Sequence, residues 1–269
     1  MRVIKINDGT DLRDLYARLK AIGTQITFAE QVAMPGRGAK PDGRYWVLRH
    51  DVDRKLPETG ILQARADAEF GVRATTFLLH TAPYFDYSPA LRDMVREIAA
   101  LGHDVELHID AIGEWAEAMA AGQQPPDLWE CMWRPLRFLR EECGLPVRGC
   151  ASHGNRLCGK MGFNNYHVFS DWALPEHNKL GHDRYALADF GIDYEAYHLP
   201  RIGAVADSGG QWRGGMRCEC PDPRGWHREN YPTVEDRLAL RDAVIEAFSR
   251  CEAGVLHVLI HPNWWSYVE

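Results

Sequence analysis

The stretch "VLRHDVDR", residues 47–54, ends an apolar run with Arg49, His50, Asp51 and Asp53. In a strand the side chains alternate between faces, so Arg49, Asp51 and Asp53 share one face and His50 takes the other. Two carboxylates held on one buried face repel unless a cation or a proton offsets them. Arg49 lies one step below Asp51, and a bound metal ion would offset the repulsion between the carboxylates.

Working outward, strand and helix patterns alternate. "RYWVLRHD" reads as a strand and "PETGILQARADAEFGV" as a helix begun by Pro57. "RATTFLLH" and "HDVELHI" read as further strands around the helix "SPALRDMVREIAALG", which Gly102 stops. A short helix near "GEWAEAMAAG" and a longer one, "LWECMWRPLRFLREECGL" with Pro135 as a possible kink, precede the strand "VRGCASHG". One or two short strands follow in "EAYHLPRIGAVADSGG", then the helix "TVEDRLALRDAVIEAFSRCEAG" and a last strand, "VLHVLIHP". This alternation predicts an α/β fold with a parallel sheet, open or closed into a barrel. No repeat or linker interrupts it, so residues 1–269 are read as a single domain, with 1–44 a helical extension packed on it.

Composition narrows the function. A net charge of −7 without a Lys/Arg-rich block argues against nucleic acid. No stretch approaches a membrane span, and the N-terminus lacks the apolar core of a secretion signal. Seven cysteines, an odd and scattered set, fit reduced thiols in a cytoplasm. "CEC" at 218–220 lacks a second cysteine pair and is read as free thiols rather than a zinc site.

In parallel α/β folds the carboxyl ends of the strands carry the chemistry. Here Asp51 and Asp53 end the first core strand, His108 and Asp110 the third, His153 the next and His261 the last. A lone Asp at such a place is usually a helix cap and a lone His a hydrogen-bonding group. Four strand ends supplying His and Asp together are the inventory of a divalent-metal hydrolase.

At these residues the chain resembles the polysaccharide deacetylases with a NodB-homology domain, carbohydrate esterase family four. "HDVD" is similar to the family's first motif, "LGHDVELHID" to its "GHEIGLH" segment and "HVLIHPNWW" to its closing motif. The resemblance runs from about residue 45 to the end of the chain, and is strongest at 45–110 and 255–265. It implies a distorted (β/α) barrel of about seven parallel strands. It also implies removal of an N-acyl group from a sugar, with Asp51 as base, Asp53 and His108 as metal ligands and His261 as acid. The two Asp roles are interchangeable on spacing alone. The family's second histidine, four residues after the first, is replaced here by Ile112. His153, in "CASHGN", is the expected substitute and Asp110 the alternative ligand. The implied cofactor is a divalent metal, zinc first, with nickel, cobalt or manganese as others.

Substrate contacts are expected from Trp172, Trp212, Trp264 and Trp265, because indole faces stack on the C–H faces of sugars, and from Asp207. His80 ends the second strand without an assigned role, and His50 and His257 face away from the metal set. Glu106, one step below His108, needs a buried partner, and Arg49, one step below Asp51, is the expected one. A cytoplasmic chain of this kind would act on a nucleotide- or lipid-linked N-acetylated sugar, on the way to O-antigen or another surface polysaccharide. The rival readings are another metal-dependent amide or cyclic-amide hydrolase on the same barrel, and an inactive carbohydrate-binding relative.

Overall fold

A computed structural model describes residues 1–34, 41–172, 184–218 and 223–268. The chain divides into two compact units. Unit 1 comprises Met1–Thr76, Ala100–Asp104 and Pro200–Glu269; unit 2 comprises Phe77–Ala99 and Val105–Leu199.

Unit 1 opens with β1 (Arg2–Lys5), α1 (Leu12–Ile22), β2 (Thr24–Gln25) and α2 (Phe28–Ala33). The expected strand follows as β3 (Arg44–Val52), then α3 (Ile61–Glu69). From Trp46 to Val52 every residue of β3 is buried, which suits a parallel strand covered on both faces. The helix expected from Pro57 begins as one wide turn, in which the Gly60 N–H donates to Lys55 O, before α3 becomes regular. After Pro200 come β8 (Gly203–Ala206), β9 (Arg213–Met216), α8 (Val234–Ser249), β10 (Gly254–Ile260) and β11 (Trp265–Val268). Thr233 caps α8 reciprocally with Asp236.

The sheet of unit 1 runs β2-β3-β10-β8-β9, parallel except for β9. β10 lies beside β3 with Leu259 opposite Arg49 and Ile260 opposite His50, so the ends carrying Asp51 and His261 lie together. β1 and β11 form a separate antiparallel ribbon.

β4 (Thr75–Leu79) carries the chain into unit 2, where α4 (Pro89–Ala100), β5 (Asp104–Ile109), α5 (Ala111–Ala120) and α6 (Leu128–Arg137) follow. Next are β6 (Gly149–Ser152), α7 (Arg156–Lys160) and β7 (Tyr194–Glu195). β5, β6 and β7 pair in parallel, with His108 beside Ala151. The α/β class and the parallel strands are those the sequence pattern predicts. The unpredicted strands, β1, β2, β9 and β11, span two to four residues and are too short to show a period, as is the five-residue α7.

Glu106 finds the buried partners it needs: its Oε2 accepts the Gly149 N–H at 2.7 Å and the Arg148 N–H at 3.0 Å, and the Tyr194 hydroxyl lies 3.2 Å from Oε1. Tyr194 covers Gly149 so closely that an added Cβ would stand 2.0 Å from its ring. Gly149→Ala is therefore expected to cost about 1–3 kcal/mol through overpacking. Urea denaturation should show the midpoint falling, and an unchanged midpoint would refute the close approach.

Candidate active site

In unit 1, β3 and β10 deliver Asp51, Asp53 and His261. Arg49, the expected partner of Glu106, bonds Asp51 on its own strand: Nε and Nη2 of the guanidinium donate to the two carboxylate oxygens at 2.5 and 2.6 Å. Both side chains are buried. Asp53, beyond the end of the strand, is more exposed and places Oδ2 3.9 Å from His261 Nε2.

The other edge of His261 is held by Asp207. Asp207 Oδ1 accepts from His261 Nδ1 at 2.7 Å and from the His261 backbone N–H at 2.9 Å, while Trp265 Nε1 donates to Oδ2 at 2.9 Å. Burial alone would push the His261 pKa down. The hydrogen bond and charge of Asp207, with the charges of Asp51 and Asp53, outweigh it and raise the value to about 9. His261 is thus an imidazolium at neutral pH, with Nε2 directed toward Asp53.

In unit 2, β5 and β6 deliver His108, Asp110 and His153. His108 Nδ1 donates to Ala151 O at 2.8 Å; a carbonyl only accepts, so the ring lone pair is on Nε2. His153 Nδ1 lies 3.3 Å from Asp110 Oδ2, longer than the usual N–H···O bond. The two rings stand edge to face with centres 5.3 Å apart. Asp110 also accepts from Asn165 Nδ2 at 2.8 Å on Oδ1 and from Asn155 Nδ2 at 3.2 Å on Oδ2. Burial would raise its pKa, but the bonds from His153, Asn165 and Asn155 and the His153 charge hold it below the usual carboxylate value.

His80 is neutral. Burial chiefly, with His108 and His153 nearby, pushes its pKa down to about 4 against the pull of Asp110, and its Nε2 accepts the Asp110 N–H at 2.9 Å. That nitrogen is occupied, so His80 is no ligand.

The imidazole pair suits a borderline divalent ion: each ring has Nδ1 turned to an oxygen, the usual outer-shell pattern around a coordinating histidine. Among the described residues no group of three or more His, Cys, Asp or Glu side chains is already assembled around a metal-sized point. Two donors are one short of the three protein ligands of a catalytic zinc site.

Some expected substrate contacts are corrected. Asp207 has no exposed surface and is an orienting group for His261. Trp212 is buried too, donating toward Thr10 Oγ1 at 3.4 Å, with Lys5 Nζ and the Arg241 guanidinium 5.7 and 5.3 Å from its ring. The glycines that flank it suggest an open loop, but partners far away in sequence close over it. Trp264 and Trp172 remain half-buried, Trp172 stacked on His198 at 3.9 Å between ring centres. Of the loop 155–185, residues 173–183 lie outside the described residues, as does Cys220 of "CEC". His50 and His257 are buried and bonded to Asp67 and Gln31, as the strand parity implies.

Sequence reasoning missed Asn155 and Asn165, which brace Asp110, and expected Trp265 to touch a sugar, whereas it is buried and braces Asp207. Asn155 looks like a helix cap and is one, its Oδ1 accepting the Leu157 N–H at 2.8 Å, so its second task leaves no separate signal.

No protein-family model matches the sequence, and no curated protein does. Among solved structures the chain is similar to a CE4 esterase from Streptococcus mutans, at 15% identity over 91% of this chain and 82% of the other, with a TM-score of 0.46. It is similar to the catalytic domain of a peptidoglycan N-acetylglucosamine deacetylase from Eubacterium rectale, at 14% identity over 86% and 82%, TM-score 0.42. A CE4 family pseudoenzyme from Bacillus anthracis matches at 13% identity over 82% and 56%, TM-score 0.37. At such identities and scores the likeness says nothing of activity, and the functional reading rests on the residues themselves.

Proposed function

We propose that this chain is a metal-dependent hydrolase that removes an N-acyl group, acetyl in the first instance, from an N-acetylated sugar of a polysaccharide precursor. The observation that carries the reading is the pair His108 and His153, each with Nδ1 turned to an oxygen and its other nitrogen suited to coordination. Asp53 is the proposed third ligand. Asp110, engaged by His153, Asn155 and Asn165, is better suited to holding His153 than to binding metal.

A divalent ion held there supplies Lewis-acid activation of water and of the acyl carbonyl. Asp51 accepts the proton of the attacking water, its orientation fixed by Arg49. His261 donates a proton from Nε2 to the leaving nitrogen as the C–N bond breaks, giving a free carboxylate and an amine. Asp207 keeps the ring aligned and charged for that transfer. The proposed substrate is nucleotide- or lipid-linked, in a pathway to O-antigen or another surface polysaccharide.

Elemental analysis of the full chain tests the reading, together with acetate release from a nucleotide-linked N-acetylhexosamine. About one zinc or similar ion per chain is expected, lost in His153→Ala and bound about 10–100-fold more weakly in Asp110→Asn. Asp53→Asn should lose metal, whereas Asp51→Asn should keep metal and lose turnover; the reverse would exchange their roles. Metal retained in His153→Ala would give its place to another group. If neither protein takes up metal from excess divalent ions, the mechanism fails and an inactive carbohydrate-binding protein becomes the better reading.

A further inference from the structure

Lys5 has no exposed surface at all. A buried ammonium is costly unless paired and hydrogen-bonded, and an apolar side chain would pack on Trp212 as well. Its two bonds show where the charge is used. Nζ donates to Asp8 Oδ2 at 2.8 Å, within its own turn, and to Gly210 O at 2.7 Å, far away in sequence. Asn7 Nδ2 donates to the same carbonyl at 3.0 Å.

Gly210 closes the short loop that follows Asp207. Gly209 and Gly210 both adopt left-handed backbone, φ 67° and 73°, a pair of conformations that glycine alone takes without strain. A double-glycine turn has little stiffness of its own, so the shape of this loop depends on what grips it.

The same segment grips the loop after His261. The Ile6 N–H donates to Trp264 O at 2.9 Å. β1 pairs with β11 so that Lys5 stands opposite Trp265, the residue whose indole bonds Asp207. The turn itself is tied by Asp8 Oδ1, which accepts from Thr10 N and Oγ1 at 3.0 and 2.6 Å, and by Arg241, which donates to Thr10 Oγ1 at 2.8 Å.

We propose that Lys5–Thr10 is a clasp that sets Asp207 against His261, with Lys5 and Asn7 as positioning residues acting through Gly210. The inference rests on the reading of His261 as acid only for its effect on turnover; the geometry it asserts can be measured without any activity.

The test uses the full chain in two variants. Lys5→Met with Asp8→Asn removes both buried charges together, and Asn7→Ala removes only the second donor to Gly210 O. The readout is the downfield proton NMR line of His261 Nδ1–H, assigned by its loss in His261→Gln. At one fixed pH the line should be sharp in the native chain, and should shift upfield or vanish by exchange in each variant. Turnover should fall about tenfold with KM unchanged, the effect of a small misalignment. A native-like line and native kcat in Asn7→Ala, with only a lower melting temperature, would overturn the clasp. So would absence of the line from the native chain. Should the double variant fail to fold, Asn7→Ala decides alone. Should the chain prove inactive, the NMR line still separates a failed clasp from a failed deacetylase reading.

Discussion

Asp207→Asn is expected to lower the turnover of the proposed deacetylation by about 10²–10⁴-fold, the range over which a positioned acid contributes. The asparagine keeps the size of the side chain and an oxygen for the His261 ring, so the fold should survive. What it loses is the charge and the strong hydrogen bond that together hold the His261 pKa at about 9 against burial. The direction follows from linkage. A folded value above the ordinary 6.5 means that the charged ring contributes stability fully below pH 6.5, and that this contribution fades as pH rises through about 9. Without Asp207 the burial of the ring dominates, and the alkaline limb of the pH–rate profile should move to lower pH. Turnover within a few-fold of native, with the limb unmoved, would remove Asp207 and His261 from the chemistry.

The second large effect lies in stability. Arg49→Met takes away the guanidinium that bonds both oxygens of a carboxylate only 2% exposed. Breaking such a pair costs about 3–5 kcal/mol, because the remaining charge stays buried. Replacing both residues, Arg49→Met with Asp51→Leu, should return most of that loss, since two apolar side chains need no solvent. Chemical denaturation of the single and double variants measures the difference. A single variant no less stable than the double would show that water or a neighbouring group takes over from Arg49. The double variant should still be inactive, which would separate the structural cost of the pair from its use.

Much of the fold was legible in the sequence for one reason: apolar runs with charged ends mark buried strands, and their ends hold the candidate site residues. β3, β5, β6 and β10 announce themselves that way, and so do Asp51, His108, His153 and His261. Asp207 and Trp212 were misjudged because local composition reports whether a loop can turn, and not what covers it. The Gly-rich "DSGGQWRGG" allows an exposed turn, yet Lys5, Thr10 and Arg241 come from distant segments to bury it. Pairing between side chains more than fifty residues apart, as for Asp207 with His261, leaves no local pattern.

The way unit 1 is assembled from both ends of the sequence also bears on how the chain is made. Unit 2 runs almost without interruption from Phe77 to Leu199, so its contacts are available early in synthesis. Unit 1 needs β10 beside β3 and β11 beside β1, pairings with very large sequence separation, which form slowly. Protease protection on stalled ribosomes should therefore appear in residues 105–199 before residues 1–76. Through that interval β3 waits as an apolar strand without β10 beside it, a hazard for aggregation. Arg49, Asp51 and Asp53 interrupt the run with charge, so the residues of the proposed chemistry would also guard the nascent strand until its partner is translated.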